Sequence, residues 1–266
     1  MIPSLETIGR TLAIEIAYTI SRMKVLERLP GNPLGIAYRW IDETAVALMA
    51  RLPAFSRVVG LRAGHQHHIE PLVQWYRDHD AMPTFEMVPG HWDERLGREL
   101  MRCGYFQSGF HASLIAELPT PAVAAAGADT IEPVTSPAVM EDYLEAYVAG
   151  WGIPEKDQAV FKANVRPWRD QAGWSLYVVR VDGKPAAAAT LFVHERVAYL
   201  ADATTAPSFR RRGLQLALLH RRIADARKAN ADLVFSGATP FSGSHRNIER
   251  AGLRVQFMRA LWRQAN

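Results

Sequence analysis

Pro207-Ser208-Phe209-Arg210-Arg211-Arg212-Gly213-Leu214-Gln215 is the stretch on which the reading of this chain turns. An apolar run with strand character, Arg196 to Ala206, leads into it, and a run with helical spacing, Leu214 to Ala229, leads out. A strand, a tight basic turn with glycine and a helix start together make an anion cradle. The first N–H groups of a helix have no intrahelical acceptor, and the aligned peptide dipoles add partial positive charge there. Three consecutive arginines strengthen the field, and Gly213 puts no Cβ between the turn and a ligand. The competing reading of Arg210, Arg211 and Arg212 is a solvated basic face at a helix start.

On the C-terminal side, Asp232 to Gly237 reads as a strand, Ser242 to Ala251 as a short helix and Leu253 to Arg263 as a final strand. On the N-terminal side, Trp174 to Val181 and Lys184 to His194 read as strands joined by an Asp182-Gly183 hairpin turn. Helices are expected at Pro137 to Val148 and Gln158 to Trp168, after a short strand at Thr130 to Val134. Pro119 to Ala128 is uncharged and rich in proline, alanine and glycine, which reads as a linker between domains at 1–120 and 129–266.

The first half opens with an amphipathic helix from Ser4 to Leu29, its apolar residues at Leu5, Ile8, Leu12, Ile16, Ile20, Met23 and Leu26. Strands follow at Ile36 to Ile41, Ala45 to Leu52, Arg57 to Leu61 and Thr84 to Val88. Helices are expected at His68 to His79 and Trp92 to Cys103, and closing strand segments at Gly104 to Phe106 and Phe110 to Leu118. Both halves end alike: strand, helix, strand, short helix, then Cys103-Gly104-Tyr105-Phe106 in one and Ala251-Gly252-Leu253-Arg254 in the other. That pattern suggests a duplication with a period of about 130 residues. The fold class is α+β, a three-layer arrangement in which each half is a mixed, mostly antiparallel sheet flanked by helices.

Composition narrows the partners. The 266 residues, 48% hydrophobic and 22% charged, are those of an ordinary globular protein. A net charge of +4 suits an anionic ligand, and no Lys/Arg block with interleaved aromatics points to nucleic acid. One cysteine, Cys103, excludes an internal disulfide. No apolar run approaches the roughly 20 residues of a membrane span, and no secretory leader is evident at Met1 to Arg10, so no membrane association and a cytoplasmic location are expected.

With these elements in place, about Thr130 to Arg263 resembles the GNAT superfamily, the acetyl-CoA-dependent N-acetyltransferases. The family signature, Arg/Gln-x-x-Gly-x-Gly/Ala after a strand and opening a helix, reads Arg210-Arg211-Arg212-Gly213-Leu214-Gln215 here, with Gln215 in place of the small residue. Arg250-Ala251-Gly252-Leu253 stands where the family has its Gly-Phe turn. The first half resembles a degenerate second copy, with Val58 to Gly64 at the place of the turn but lacking its arginine register. Tandem GNAT proteins have this layout.

The resemblance implies acetyl-CoA as co-substrate and no metal. Backbone N–H groups of Arg211, Arg212, Gly213, Leu214, Gln215 and Leu216 would hold the CoA pyrophosphate. Side chains of Arg210 and Arg212 would be surface charges or contacts to the 3′-phosphate. Ala203, Thr204 and Thr205 would pair with the pantetheine arm and polarise the thioester carbonyl. Ser244 and Asn247 match polar positions that touch CoA. The family's thiolate-protonating tyrosine falls on Ile248, and the candidates for an acid or base are Asp202, Tyr199, His194 and His245, none at a matched position.

Trp151 and Trp168 lie in the segment that covers the acceptor in similar folds; the bland reading of both, and of Trp174, is core packing. His65, His67 and His68 read as a solvated helix cap rather than a metal site. The expected activity is acetyl transfer to a primary amine, on a small molecule or a peptide, in a ternary complex. The rival is a non-catalytic acyl-CoA sensor on the same fold. A further alternative gives the first half the role of an acceptor-recognition or dimerisation surface, the latter in a homodimer.

Overall fold

Ser4 starts the first helix: its hydroxyl accepts from the Thr7 N–H at 3.0 Å, and α1 runs over Leu5–Glu27. Ile8, Leu12, Ile20, Met23 and Leu26 are buried along it, whereas Leu5 lies in solvent. The computed structural model describes residues 4–118 and 131–264, so the expected linker Pro119 to Ala128 lies outside the described residues. Two units are distinguished, Met1–Ser113 with Gln256–Asn266, and Leu114–Val255.

In the first unit β1 (Ile36–Ile41) and β2 (Thr44–Met49) form the hairpin expected at Asp42-Glu43, with Asp42 at φ 49°. β3 (Arg57–Val59) pairs antiparallel with β2, and β4 (Thr84–Met87) pairs parallel with β3 over three residues. Parallel neighbours need a crossover, and α2 (Ile69–Arg77) supplies it with Ile69, Leu72, Val73 and Tyr76 buried. α3 (Glu94–Arg102), capped by Asp93, leads into β5 (Tyr105–Glu117). This is one continuous strand, where the sequence suggested two pieces; the Ser108 hydroxyl in the polar stretch between them donates to the Leu261 carbonyl. The final strand, β11 (Arg254–Gln264), enters this unit from Gln256 onward, giving the order β1-β2-β3-β4-β11-β5. Its register sets Ala260, Leu261 and Trp262 against Met87, Glu86 and Phe85. Sequence proximity had grouped it with the second half.

That register buries charge. Arg259, 1% exposed, donates to Glu15 at 2.7 Å, Glu86 at 2.9 Å and Ser113 at 3.0 Å, while Arg57 also pairs with Glu86. Burial opposes ionisation of Glu86, but Arg57 and Arg259 outweigh it and hold the carboxyl at about 2. Breaking such a buried pair leaves an uncompensated charge, which costs several kcal/mol.

His65 corrects the expectation of a solvated cap. It is 6% exposed, with Nδ1 3.4 Å from the Thr44 hydroxyl and Nε2 3.2 Å from the Asp42 carboxylate. Neither His65 nor His68 caps a helix with its side chain. Among the described residues no group of three or more His, Cys, Asp or Glu is arranged to hold a metal ion, and no helix is long and apolar enough to cross a membrane.

The second unit contains β6 (Ile131–Pro133), α4 (Pro137–Trp151), α5 (Glu155–Val165), β7 (Trp174–Val181), β8 (Lys184–His194) and β9 (Val197–Thr205). α6 (Leu214–Lys228), β10 (Leu233–Ala238) and α7 (Gly243–Arg250) complete it. From the end of β5 its strand order is β5-β10-β9-β8-β7-β6. β6 to β9 pair antiparallel in succession, and β9 and β10 pair parallel over three residues, spanned by α6. Among the described residues, a three-residue parallel pair crossed by a helix is thus present in each unit. α5 stops earlier than its spacing suggested because Pro167 cannot continue a helix, and a 3-10 turn, Arg166–Asp170, follows.

The first unit should lose stability in two stages as pH falls. Burial pulls the His111 imidazole from its ordinary 6.5 down to about 4, so the unfolded chain takes up a proton in that window that the folded chain refuses. The contribution of Glu86, present above 4.5, is lost between 4.5 and about 2. His111→Leu should flatten the melting temperature between pH 6.5 and 4 while leaving the steeper fall below it; an unchanged slope in the upper window would sink this assignment.

Candidate active site in the second unit

Between β8 and β9 the register passes from Thr190 opposite Ala201 to Ala188 opposite Thr204. Asp202 and Ala203 therefore face the single residue Ala189, which is a β-bulge, and Asp202 takes φ 47° to make it. Arg222, fully buried on α6, donates from Nη1 to the carbonyls of Thr190 at 2.8 Å and Ala201 at 3.0 Å, and from Nε to Leu218 at 3.1 Å. Burial pulls its pKa down to about 10, still well above neutrality, so it remains a cation. Tyr143 on α4 bonds the Thr190 hydroxyl at 2.9 Å; burial and then the charge of Asp202 push its phenol well up.

On its other side β9 pairs with β10 only as far as Tyr199 against Phe235. One residue on, the Ser236 hydroxyl donates to the Leu200 carbonyl at 2.9 Å. Beyond it, Ala201 to Thr205 have no ladder partner in β10, so the two strands part towards their C-terminal ends. A crevice outside the carboxyl ends of parallel strands is where open α/β sheets bind ligands.

The turn after β9 begins as a 3-10 turn, Pro207–Phe209, continues through Arg211 at φ 62° and reaches Gly213 at φ 76°, the residue before α6. The first intrahelical bond is Ala217 N–H to the Gly213 carbonyl, leaving the N–H groups of Leu214, Gln215 and Leu216 without an intrahelical acceptor. Helices α1, α3, α4 and α7 receive side-chain caps from Ser4, Asp93, Ser136 and Ser242; α6 receives none. A Cβ at Gly213 would point into open space, so its glycine is required by the backbone angle rather than by crowding.

Residues 122–237 match the model of the acetyltransferase (GNAT) domain. Over those residues the second half is similar to a GNAT domain. Solved structures agree on the fold across both units. A GCN5-related N-acetyltransferase from Kribbella flavida superposes with a TM-score of 0.68 at 16% identity, covering 94% of this chain and 95% of its own. A functionally unknown conserved protein from Staphylococcus epidermidis gives 0.62 at 14% identity, covering 88% and 96%. A tandem GNAT protein from the clavulanic acid biosynthesis pathway gives 0.58 at 14%, covering 95% and 96%. At these identities the likeness is one of fold. No curated protein matches the sequence.

Within the second unit the expected cofactor residues divide. Ala203, Thr204 and Thr205 lie on the parted end of β9, and Arg211, Arg212, Gly213, Leu214 and Leu216 on the turn and helix start. The Arg212 guanidinium stacks over Phe209 at 5.5 Å. Arg210 is a strut instead: it donates to the Thr205 carbonyl at 3.2 Å and the Gly150 carbonyl at 3.3 Å, tying the end of α4 to the end of β9. Gln215, the departure from the family signature, donates to Ser244 at 2.9 Å and accepts from Asn247 at 2.7 Å, joining the first turns of α6 and α7.

The catalytic candidates do not converge. Asp202 is at the bulge. Tyr199 stacks on Phe235 at 4.9 Å in the paired part of β9, and His194 lies at the opposite end of that hairpin. His245 is 6% exposed, faces Phe241 at 6.2 Å and lies 3.6 Å from Glu249. Ile248 is buried. Trp168 is fully buried between Tyr147 and Trp174, which is the core-packing alternative, whereas Trp151 is 52% exposed beside the pinned end of α4.

Sequence reading missed Arg222, Tyr143 and Gly150. The signal for Arg222 was present: a lone arginine interrupts the apolar stripe Leu218, Leu219, Ile223, Ala226. Gly150 had none, because its role is a close approach: a Cβ there would come within 2.2 Å of the Thr204 Oγ1. Gly150→Ala should therefore lower stability by about 1–3 kcal/mol, with partial recovery in the double variant with Thr204→Ala. Urea denaturation of both variants checks this, and an unchanged midpoint in Gly150→Ala would show that the contact is not tight.

Proposed function

We propose that the second unit moves an acetyl group from acetyl-CoA to a primary amine by direct attack in a ternary complex. The observation that carries the reading is the adjacency of a parted strand end, Ala201 to Thr205, and an uncapped helix start at Gly213. The helix start suits the CoA pyrophosphate, and the strand end suits the amide-bearing pantetheine arm. The neutral amine attacks the thioester carbonyl, the tetrahedral oxyanion is stabilised by a β9 N–H, and the C–S bond breaks to release the CoA thiolate. The nitrogen loses one proton and the thiolate gains one. With no matched acid or base, positioning supplies most of the rate.

We assign the first unit as a GNAT-like copy that does not use acetyl-CoA. After β3, the Thr44 hydroxyl donates to the Gly60 carbonyl at 3.0 Å, and Arg62 pairs with Glu43 at 2.7 Å. Side chains of the β1–β2 hairpin thus tie down the segment after β3. A second reading, an acyl-CoA sensor without transfer, is favoured by Ile248 at the family's tyrosine position and by its burial.

CoA and acetyl-CoA should each raise the melting temperature, since a ligand bound only by the native state stabilises it. Release of free CoA thiol against a panel of primary amines should accompany acetyl-CoA; binding without turnover on a broad panel selects the sensor. Gly213→Glu should abolish the CoA-induced shift, whereas Gly213→Ala, strained but uncharged, should keep part of it. Failure of CoA to shift the wild type would overturn both readings.

A further inference from the structure

We propose that Arg222 is a positioning residue that holds the β9 bulge in register with the anion-binding end of its own helix. The inference rests on the acetyl-transfer reading for its functional consequence and on geometry for the rest. A bulge disrupts the ladder locally and leaves carbonyls in need of donors. Here the two carbonyls of the opposed pair Thr190 and Ala201 converge on one nitrogen, Nη1 of Arg222, in a fully buried setting. A neutral side chain would remove this charged donor from both carbonyls at once.

Placement gives this clamp its consequence. Arg222 lies nine residues beyond Gly213 on α6, about 13 Å along the axis. One rigid helix therefore fixes both the phosphate turn, through its first N–H groups, and the bulge, through its buried guanidinium. The bulge sets the path of Ala203 to Thr205, the residues placed against the pantetheine arm and thioester. Ser236 anchors the preceding carbonyl, Leu200, from β10, so the bent segment is held at its base from two elements. Tyr143 fixes the Thr190 side chain from α4. Nη2 of Arg222 has no hydrogen-bond partner among the described residues, so a lysine, with three donors on one nitrogen, could replace the bonds that matter.

The test compares Arg222→Lys and Arg222→Met with wild type by hydrogen–deuterium exchange and by acetyl-CoA kinetics. In Arg222→Met, amides of 201–205 should exchange about tenfold faster or more while those of β7 and α4 keep their protection, and Arg222→Lys should restore most of it. Turnover should fall about 10- to 100-fold in Arg222→Met, with the Kd for CoA changed less than about threefold because the helix start is intact, and should recover in Arg222→Lys. A merely structural role predicts instead uniform loss of protection and a parallel loss of CoA affinity. Unchanged exchange at 201–205 in a folded Arg222→Met protein overturns the clamp. If wild type shows no turnover, the acetyl-transfer reading fails on its own, and the exchange comparison still decides the clamp. Should Arg222→Met not fold, Arg222→Lys with wild-type exchange but turnover reduced as far as its stability is reduced overturns the positioning role.

Discussion

Parallel strands β9 and β10 stay paired for three residues and then part, and the architecture of the second unit follows from that parting. Backbone groups cannot be buried unpaired without cost. Leu200 is met by the Ser236 hydroxyl, and Ala201 by the guanidinium of Arg222. What remains, the edge of Ala203 to Thr205, has no ladder partner in β10. A left-handed Asp202 supplies the extra residue that bends the strand, and α6 begins where the bent strand ends. The helix that fills the crossover required by parallel pairing thereby also presents its uncapped N–H groups at the same end.

The first unit also holds a short parallel pair beneath a helix. β3 and β4 pair for three residues under α2, but the turn is tied to the β1–β2 hairpin by Thr44, His65 and the Arg62–Glu43 pair. Its interior is held by Arg259 between Glu15 and Glu86. Burial raises the pKa of Glu15 against the pull of Arg259, while Glu86, with Arg57 as a second cation, is held low. Such a group fixes register, because a one-residue slip of β11 would turn Arg259 to the opposite face of the sheet. It also makes the unit sensitive to acid through the carboxylate and the neighbouring half-buried His111.

Much of this was legible from local signals. The Asp182-Gly183 turn located the β7–β8 hairpin, and the helices expected from Ser4, Pro137 and Ser242 each prove to start on a serine cap. Helical spacing also picked out Ile8 and Leu12, which are buried, but it picked out Leu5 as well, which is exposed. The roles of Arg210, Trp168 and His65 were not legible. Each is a residue type with an exposed functional reading, and each is engaged by partners distant in sequence: Gly150 for Arg210, Tyr147 for Trp168 and Asp42 for His65.

By itself the sequence located the basic turn from Pro207 to Gln215 between a strand and a helix, since three arginines, a glycine and the flanking periodicities are all local chemistry. It likewise determined the repeated order of elements. Only the tertiary structure decided that Arg210 is a strut, that Gln215 joins α7, that β11 pairs with β4, and that Arg222 grips the bulge. The physical reason is the range of the interactions. A helix start exposes its N–H groups whatever lies elsewhere in the chain, whereas a buried guanidinium acquires its role only from the carbonyls that folding brings to it.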